Sequence, residues 1–405
     1  MIKKLTLVLC LFIFNFIIGC NGQTNINSEN NQVKNESNKI VGGGCDGCEL
    51  MYVGMPTNIH SIDTSDGWFE KGQKLFITGQ VFEQDGKTPA KNIIIYYWQT
   101  DNAGYYSPKL SMDEKAIRHG HIRGWVKTND KGEYGIYTIR PAPYPKEKIP
   151  AHIHLSIKEP NINNEYYVDE LVFDDDLLLL PYTKKYPVEN RGGAGLLRVL
   201  VQGNVQIAEH NIILGLNIPG YPATINNTIK SGLNIGEDQP SFIPFHAYGP
   251  DKGTKTCPVC KYGRYHGLIF FVGNNPNWES IKKWLSFLDA ESELRNKYLK
   301  AYFVYGNQNN YNKNSREKEL ELIGQELKLK NIALTFVPSF TDVESEANLN
   351  KINPNVENTI IIYKHRNIVD KFINLKPTKE NFNLILQSLN ITKGNFFELS
   401  ELPHN

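Results

Sequence analysis

The chain has 405 residues, 40% hydrophobic and 21% charged, with a formal net charge of +1. That length exceeds one ordinary core and suggests two domains with tails. The near-neutral charge excludes a nucleic-acid or acidic-surface partner held by bulk electrostatics.

At the start, Lys3 and Lys4 precede an apolar run from Leu5 to Ile18, and Gly19-Cys20 closes it. The run is short for a membrane span, and a small residue before cysteine is similar to a bacterial lipoprotein cleavage box. Residues 1–19 are therefore expected to be a lipoprotein signal peptide and Cys20 the lipidated first residue. The chain would then be exported and held at a membrane by its lipid, on the periplasmic side or at the cell surface; an ordinary signal peptide is the alternative. Residues 20–40, rich in Asn, Ser, Gln and Lys, read as a flexible tether.

From 41 to 222 the texture is β. Leu75–Phe82, Asn92–Gln99, Tyr134–Ile139 and Ala151–Ile157 have strand character, with turns at Asp85-Gly86 and at Asn129-Asp130-Lys131-Gly132. Short strands punctuated by turn chemistry predict an antiparallel sandwich. Residues 223–240 read as a linker. From 241 to 395 strands and helices alternate: strands at 266–272, 298–305, 332–337 and 359–363, helices at 278–295, 316–330 and 379–389. That order predicts an α/β domain, leaving 396–405 as a tail.

Apart from Cys10 and Cys20, the cysteines form two C-x-x-C pairs, Cys45/Cys48 and Cys257/Cys260. In an exported chain each reads first as a structural disulfide. A redox dithiol, a zinc half-site, or one four-cysteine site built from both pairs are the alternatives.

The segment from Arg140 to Ile157 contains Tyr144 and the pair His152-Ile153-His154. Side chains two apart on a strand share a face, so the two imidazoles point together while Ile153, Leu155 and Ile157 face a core. His119 and His121 have the same spacing and read as loop residues, Trp98 and Gln99 as packing residues, and Asp174-Asp175-Asp176 as a solvated turn. The run Trp98-Gln-Thr-Asp101-Asn-Ala-Gly104-Tyr-Tyr106 comes first. Arg123-Gly124, Thr128-Asn-Asp130-Lys-Gly132-Glu-Tyr134, Thr138-Ile-Arg-Pro141 and Pro150-Ala-His152-Ile-His154 follow in that order. Together they resemble the intradiol ring-cleavage dioxygenases of the protocatechuate/catechol type.

That resemblance covers most of residues 75–157 and implies a prealbumin-like sandwich. It implies non-haem Fe(III) held by Tyr106, Tyr144, His152 and His154, and O2-dependent cleavage of a catechol-like ring between its hydroxyls to a cis,cis-muconate type diacid. It makes Tyr144 the displaceable ligand that accepts a substrate proton. Ile149 stands where family members commonly carry Arg, and Arg123 or Lys148 is the candidate to supply that charge. Hard phenolate oxygens suit ferric iron better than zinc, the metal alternative. The order of elements from Gly236 on resembles a thioredoxin or peroxiredoxin fold. It departs from that fold in placing Cys257/Cys260 before strand 266–272 and Asn358 where a cis-proline usually stands. Rival readings are a non-catalytic binding sandwich, and a thiol–disulfide oxidoreductase or peroxidase acting through the C-terminal domain; a homo-oligomer is left open.

Overall fold

A computed structural model describes residues 40–110, 112–222, 229–309 and 311–402, so the leader, Cys20 and nearly all of the tether lie outside the described residues. From Ile40 on the chain forms one compact unit. Among the described residues no helix is long and apolar enough to cross a membrane.

The first half is a two-sheet sandwich. One sheet has five strands in the order Arg123–Lys127, Ile94–Gln99, His152–Lys158, Tyr166–Phe173, Leu196–Leu197. The facing sheet is built on Lys74–Phe82 and Glu133–Ile139. Strand alternation decides what lies between them: Ile77, Ile95, Ile136, Ile153, Leu155 and Leu171 all turn into one buried cluster. The turns are those the sequence signalled. Gly86 and Gly132 take positive φ, and Asp85 accepts from the amides of Lys87 and Thr88, each at 2.8 Å.

The antiparallel expectation holds for the central strands of the five-stranded sheet and fails in places in the facing sheet. Val205–Glu209 runs parallel to Lys74–Phe82, and Ile62–Thr64 runs parallel to Glu133–Ile139. Only a tight hairpin forces antiparallel pairing, and both strands arrive after long excursions that impose no direction.

The second half is a six-stranded mixed sheet in the order Phe245–Tyr248, Ala333–Phe336, Leu299–Tyr305, His266–Val272, Thr359–Lys364, Asn367–Ile373. Its three central pairing strands are parallel and its flanks antiparallel. The helices start where short polar side chains can cap them. Asn277 accepts from Ser280 N ahead of Trp278–Arg295, Asn312 from Ser315 N ahead of Lys313–Glu326, and Thr378 from Asn381 N ahead of Lys379–Ile391. The first helix buries Trp284, Leu285 and Leu288 against Phe270 and Phe303 of the sheet.

Two segments read as loose are packed. In the linker stretch, Ser231, Glu237 and Gln239 are buried, and Gly236 N bonds to Ile368 O at 2.8 Å. The tail turns back, buries Phe397, and adds Ser400–Glu401 as a strand beside Leu200–Gln202 of the sandwich.

His210 is buried between the sheets' edges, with Nδ1 3.1 Å from the Tyr134 hydroxyl. Burial pulls its pKa down to about 4. Between that value and the ordinary 6.5 the unfolded chain holds a proton that the folded chain lacks. Stability should therefore fall as pH is lowered through this window, by up to about 1.4 kcal/mol per pH unit. Denaturant unfolding of wild type and His210→Asn at pH 7 and pH 5 checks this: the variant should show a smaller loss.

Candidate metal centre

Strand His152–Lys158 places His152 and His154 on the outer face of the five-stranded sheet, with Ile153, Leu155 and Ile157 buried beneath. Each ring is fixed by its outer nitrogen. His152 Nδ1 lies 2.8 Å from the Pro150 carbonyl, and His154 Nδ1 lies 3.0 Å from Glu170 Oε1. A carbonyl and a carboxylate can only accept, so both Nδ1 atoms carry the proton and both Nε2 lone pairs are free to face inward. Burial, reinforced by the neighbouring His154, lowers the His152 pKa and keeps that ring neutral, the form that binds metals.

Two phenols meet those lone pairs. Tyr106 Oη is 2.9 Å from His154 Nε2, Tyr144 Oη is 3.0 Å from His152 Nε2, and the two hydroxyls are 2.7 Å apart. The loops that carry them are stitched together. Asp101 accepts from Ala103 N at 2.8 Å, Tyr105 N at 3.1 Å and Ser107 Oγ at 2.6 Å. Thr100 Oγ1 donates to Ala142 O at 2.8 Å, and Ala142 N to Asp101 O at 3.1 Å, tying the Tyr106 loop to the Tyr144 loop. Gly104 has positive φ, and a Cβ there would stand 2.2 Å from the Pro143 carbonyl, so only glycine lets the loops approach this closely.

Trp98 stacks on His154 with ring centroids 4.8 Å apart and on His119 at 4.2 Å. His119 is no solvated loop residue. It ends a short 3-10 helix, is buried, and sits with Nδ1 2.8 Å from Tyr96 Oη. Burial first, then the charges of Arg118 and Arg123, push its pKa down to about 3. His121 stays apart, between Glu70 and the Ser107 carbonyl. The aspartate run is structural: Asp175 forms a two-bond pair with Arg140 at 2.7 and 2.9 Å, and Asp176 holds Ala151 N at 2.7 Å, just before His152.

These residues open into a cavity of about 400 Å³. Its walls include Trp98, His119 and Glu170, and a rim formed by Gly44, Cys45 and Asp46. Cys45 and Cys48 are disulfide-bonded, as are Cys257 and Cys260.

Arg123 is not on the cavity wall. Its guanidinium lies over the Tyr96 and Trp125 rings and donates to the Val53 carbonyl, because Trp98 is its cross-strand neighbour and the side chain turns to the far side of that aromatic layer. Lys148 is exposed. The guanidinium that lines the cavity is Arg118, which bonds to Asp46 at 3.1 Å and to Glu49 at 3.3 Å. Glu170 is the functional residue that the sequence reading missed. It was findable in principle, as an acidic residue on the strand paired with the two histidines.

The donor set fits a single cation. Adjacent ligands about 2.1 Å from a first-row metal sit roughly 3 Å apart, as the four facing atoms here do. Burial raises the pKa of both phenols, and for Tyr106 the hydrogen bond to Tyr144 raises it further, so neither ionises without a strong positive charge beside it. Among the described residues, His152, His154 and Glu170 form the one cluster of three metal-ligating side chains of the His, Cys, Asp and Glu types. Glu170 faces Nδ1 of His154, so the tyrosines rather than the carboxylate complete the Nε2 side.

Residues 52–185 match the family model described as Dioxygenase, the stretch that contains all four of these side chains. The protocatechuate 3,4-dioxygenase beta chain of Burkholderia cepacia is 29% identical over 114 residues, covering 27% of this chain and 48% of that one. Catechol 1,2-dioxygenase of Acinetobacter baylyi is 28% identical over 121 residues, covering 26% of this chain and 38% of that one. The chain thus spans about half or less of the length of these curated relatives. Among solved structures, the dioxygenase domain of a dioxygenase and carbohydrate-binding protein fusion from Streptomyces sp. SirexAA-E overlays 40% of this chain and 91% of its own, at 21% identity and a TM-score of 0.30.

Glu170→Ala should leave the fold intact and weaken metal binding roughly 10- to 100-fold, because His154 loses the acceptor that fixes its tautomer. Competition titration against a chelator measures it; unchanged affinity would remove Glu170 from the site.

Proposed function

We propose that the chain is a non-haem iron(III) dioxygenase that cleaves a catechol-type ring between its two hydroxyls. The product would be a cis,cis-muconate type diacid that takes up both atoms of O2, so no external reductant is needed. The observation that carries this is the convergence of two phenol oxygens and two imidazole nitrogens at 2.7–3.0 Å, from three separate stretches of the sandwich. Tyr106, Tyr144, His152 and His154 would hold the iron. Ferric iron bound there would supply the trivalent charge that ionises the phenols and activates a chelated catecholate toward O2.

The chain's own residues supply the rest. Tyr144 would be the phenol that swings away and accepts a substrate proton, the role that the resemblance to intradiol dioxygenases gives it. His152 and His154 are locked by Pro150 and Glu170 and stay in place. Trp98 and His119 line the cavity as a stacked pair beside which an aromatic ring can pack. Arg118 lines the cavity, held there by Asp46 and Glu49. The Gly44–Asp46 rim shields the site from bulk water.

Export as a lipoprotein is part of the same proposal. Lys3, Lys4, the apolar run and Cys20 support it, and two disulfides suit an oxidising compartment. The parallel strands and intervening helices after residue 265 support the thioredoxin-like reading of the C-terminal half.

Protein supplied with ferric salt should be burgundy, from tyrosinate-to-iron charge transfer, and should convert a catechol with O2 uptake to a diacid absorbing in the near ultraviolet. Tyr106→Phe should lose the colour, and Tyr144→Phe should cut turnover at least about 100-fold. A colourless preparation that takes up no iron would leave a non-catalytic binding sandwich.

A further inference from the structure

A second hollow adjoins the metal-centre cavity across Tyr167 and Glu170. These two residues, from strand Tyr166–Phe173, border the cavity on one side and the second, larger cleft of about 1060 Å³ on the other. Both hollows lie over the outer face of the same sheet. A benzene-sized ring fills only about 150 Å³, and a cleft of roughly 1,000 Å³ suits a whole drug-sized molecule. A bare catechol would leave nearly all of this space empty.

The walls say what would fill it. Next to the metal centre they are apolar and aromatic: Leu179, Leu180 and Tyr182 from helix Leu179–Lys185, then Val188. Leu180 is 64% exposed and Val188 57% exposed, unusual for residues of this kind facing water. The far wall belongs to the C-terminal half and is cationic, with Lys261, Arg264 and Arg366. Lys261 is neutralised by Asp251, and Arg198 in the same cleft by Asp238. Arg264 bonds only to the Leu399 carbonyl, and its Nε is buried without a partner. Among the described residues, Arg366 has no carboxylate or carbonyl on its guanidinium. Of the acidic residues along the cleft, Asp169 accepts from the Asn190 amide and Asp176 from the Ala151 and Leu178 amides, while Glu189 and Glu401 lie on its margin. Arg264 and Arg366 are thus the two cations of the far wall with no carboxylate paired to them among the described residues.

We infer that the substrate is a catechol carrying an extended substituent with an acidic end. The ring sits at the metal centre, the apolar stem lies along Leu179–Tyr182, and the carboxylate reaches Arg264 and Arg366. The inference rests on the dioxygenase reading for the position of the ring. The cleft itself makes a binding claim that stands without turnover.

The test uses catechol, 3-(3,4-dihydroxyphenyl)propanoate and caffeoylquinate as ring-cleavage substrates, and p-coumaroylquinate, which lacks the second hydroxyl, as a binding probe by calorimetry. Expected is a kcat/KM for caffeoylquinate at least about tenfold above that for catechol, lost in Arg366→Gln, with catechol turnover unchanged. Leu180→Trp, an exposed position that the fold tolerates, should narrow the cleft. It should penalise caffeoylquinate and spare catechol. The probe should bind wild type and bind Arg366→Gln about tenfold more weakly. Catechol cleaved as well as the tailed compounds, with no effect of either variant, overturns the inference and leaves the dioxygenase reading standing. Arg366-dependent probe binding without cleavage of any catechol overturns the dioxygenase reading and supports the cleft. No probe binding overturns the cleft.

Discussion

Everything at the centre depends on two imidazole rings presenting the same nitrogen in the same direction. A strand supplies half of that condition, since residues 152 and 154 must share a face. The other half comes from what each ring leans on. Pro150 offers a carbonyl and Glu170 a carboxylate, both pure acceptors, and each pins a proton on Nδ1. Asp176, holding the amide just ahead of His152, and the buried trio Ile153, Leu155 and Ile157 then fix the strand itself. With Nε2 lone pairs converging, any oxygen brought within reach becomes a co-ligand, and the two phenol loops are tied to each other before they are tied to the histidines.

The four facing groups share only two protons. With Nδ1 protonated on both rings, each phenol donates its proton to an Nε2, and none is left for the 2.7 Å contact between the two phenol oxygens. A cation among them would replace those two protons and relieve the oxygen–oxygen contact. Trp98 limits how far His154 can tilt, and His119, held neutral by burial, stacks on Trp98 without adding a repelling charge.

The C-terminal half is joined to the sandwich in more than one place. The stretch around Ser231–Gln239 packs on the mixed sheet, and the chain's last described strand returns to pair with Leu200–Gln202. The consequence is a cleft whose near wall comes from one half and far wall from the other. The Cys257–Cys260 bridge lies on that far wall rather than at the metal, and the Cys45–Cys48 bridge stiffens the rim over the metal centre.

What could be read from the sequence alone was whatever local periodicity encodes. Strand His266–Val272 and helix Trp278–Arg295 fall at the residues expected of them, the two histidines share a face as alternation requires, and the resemblance to a family named the two tyrosines that meet them. The parallel pairings within the sandwich, the packed linker stretch and the returning tail were not legible, because pairing partners far apart in sequence leave no local signature. The same holds at the site. The sequence nominated Arg123 or Lys148 for a charge at the site, whereas the cation that lines the cavity is Arg118, and it passed over Glu170 altogether. Which cation reaches a cavity, and which carboxylate reaches a ring nitrogen, depends on how separate strands and loops lie across one another. Only tertiary packing decides that.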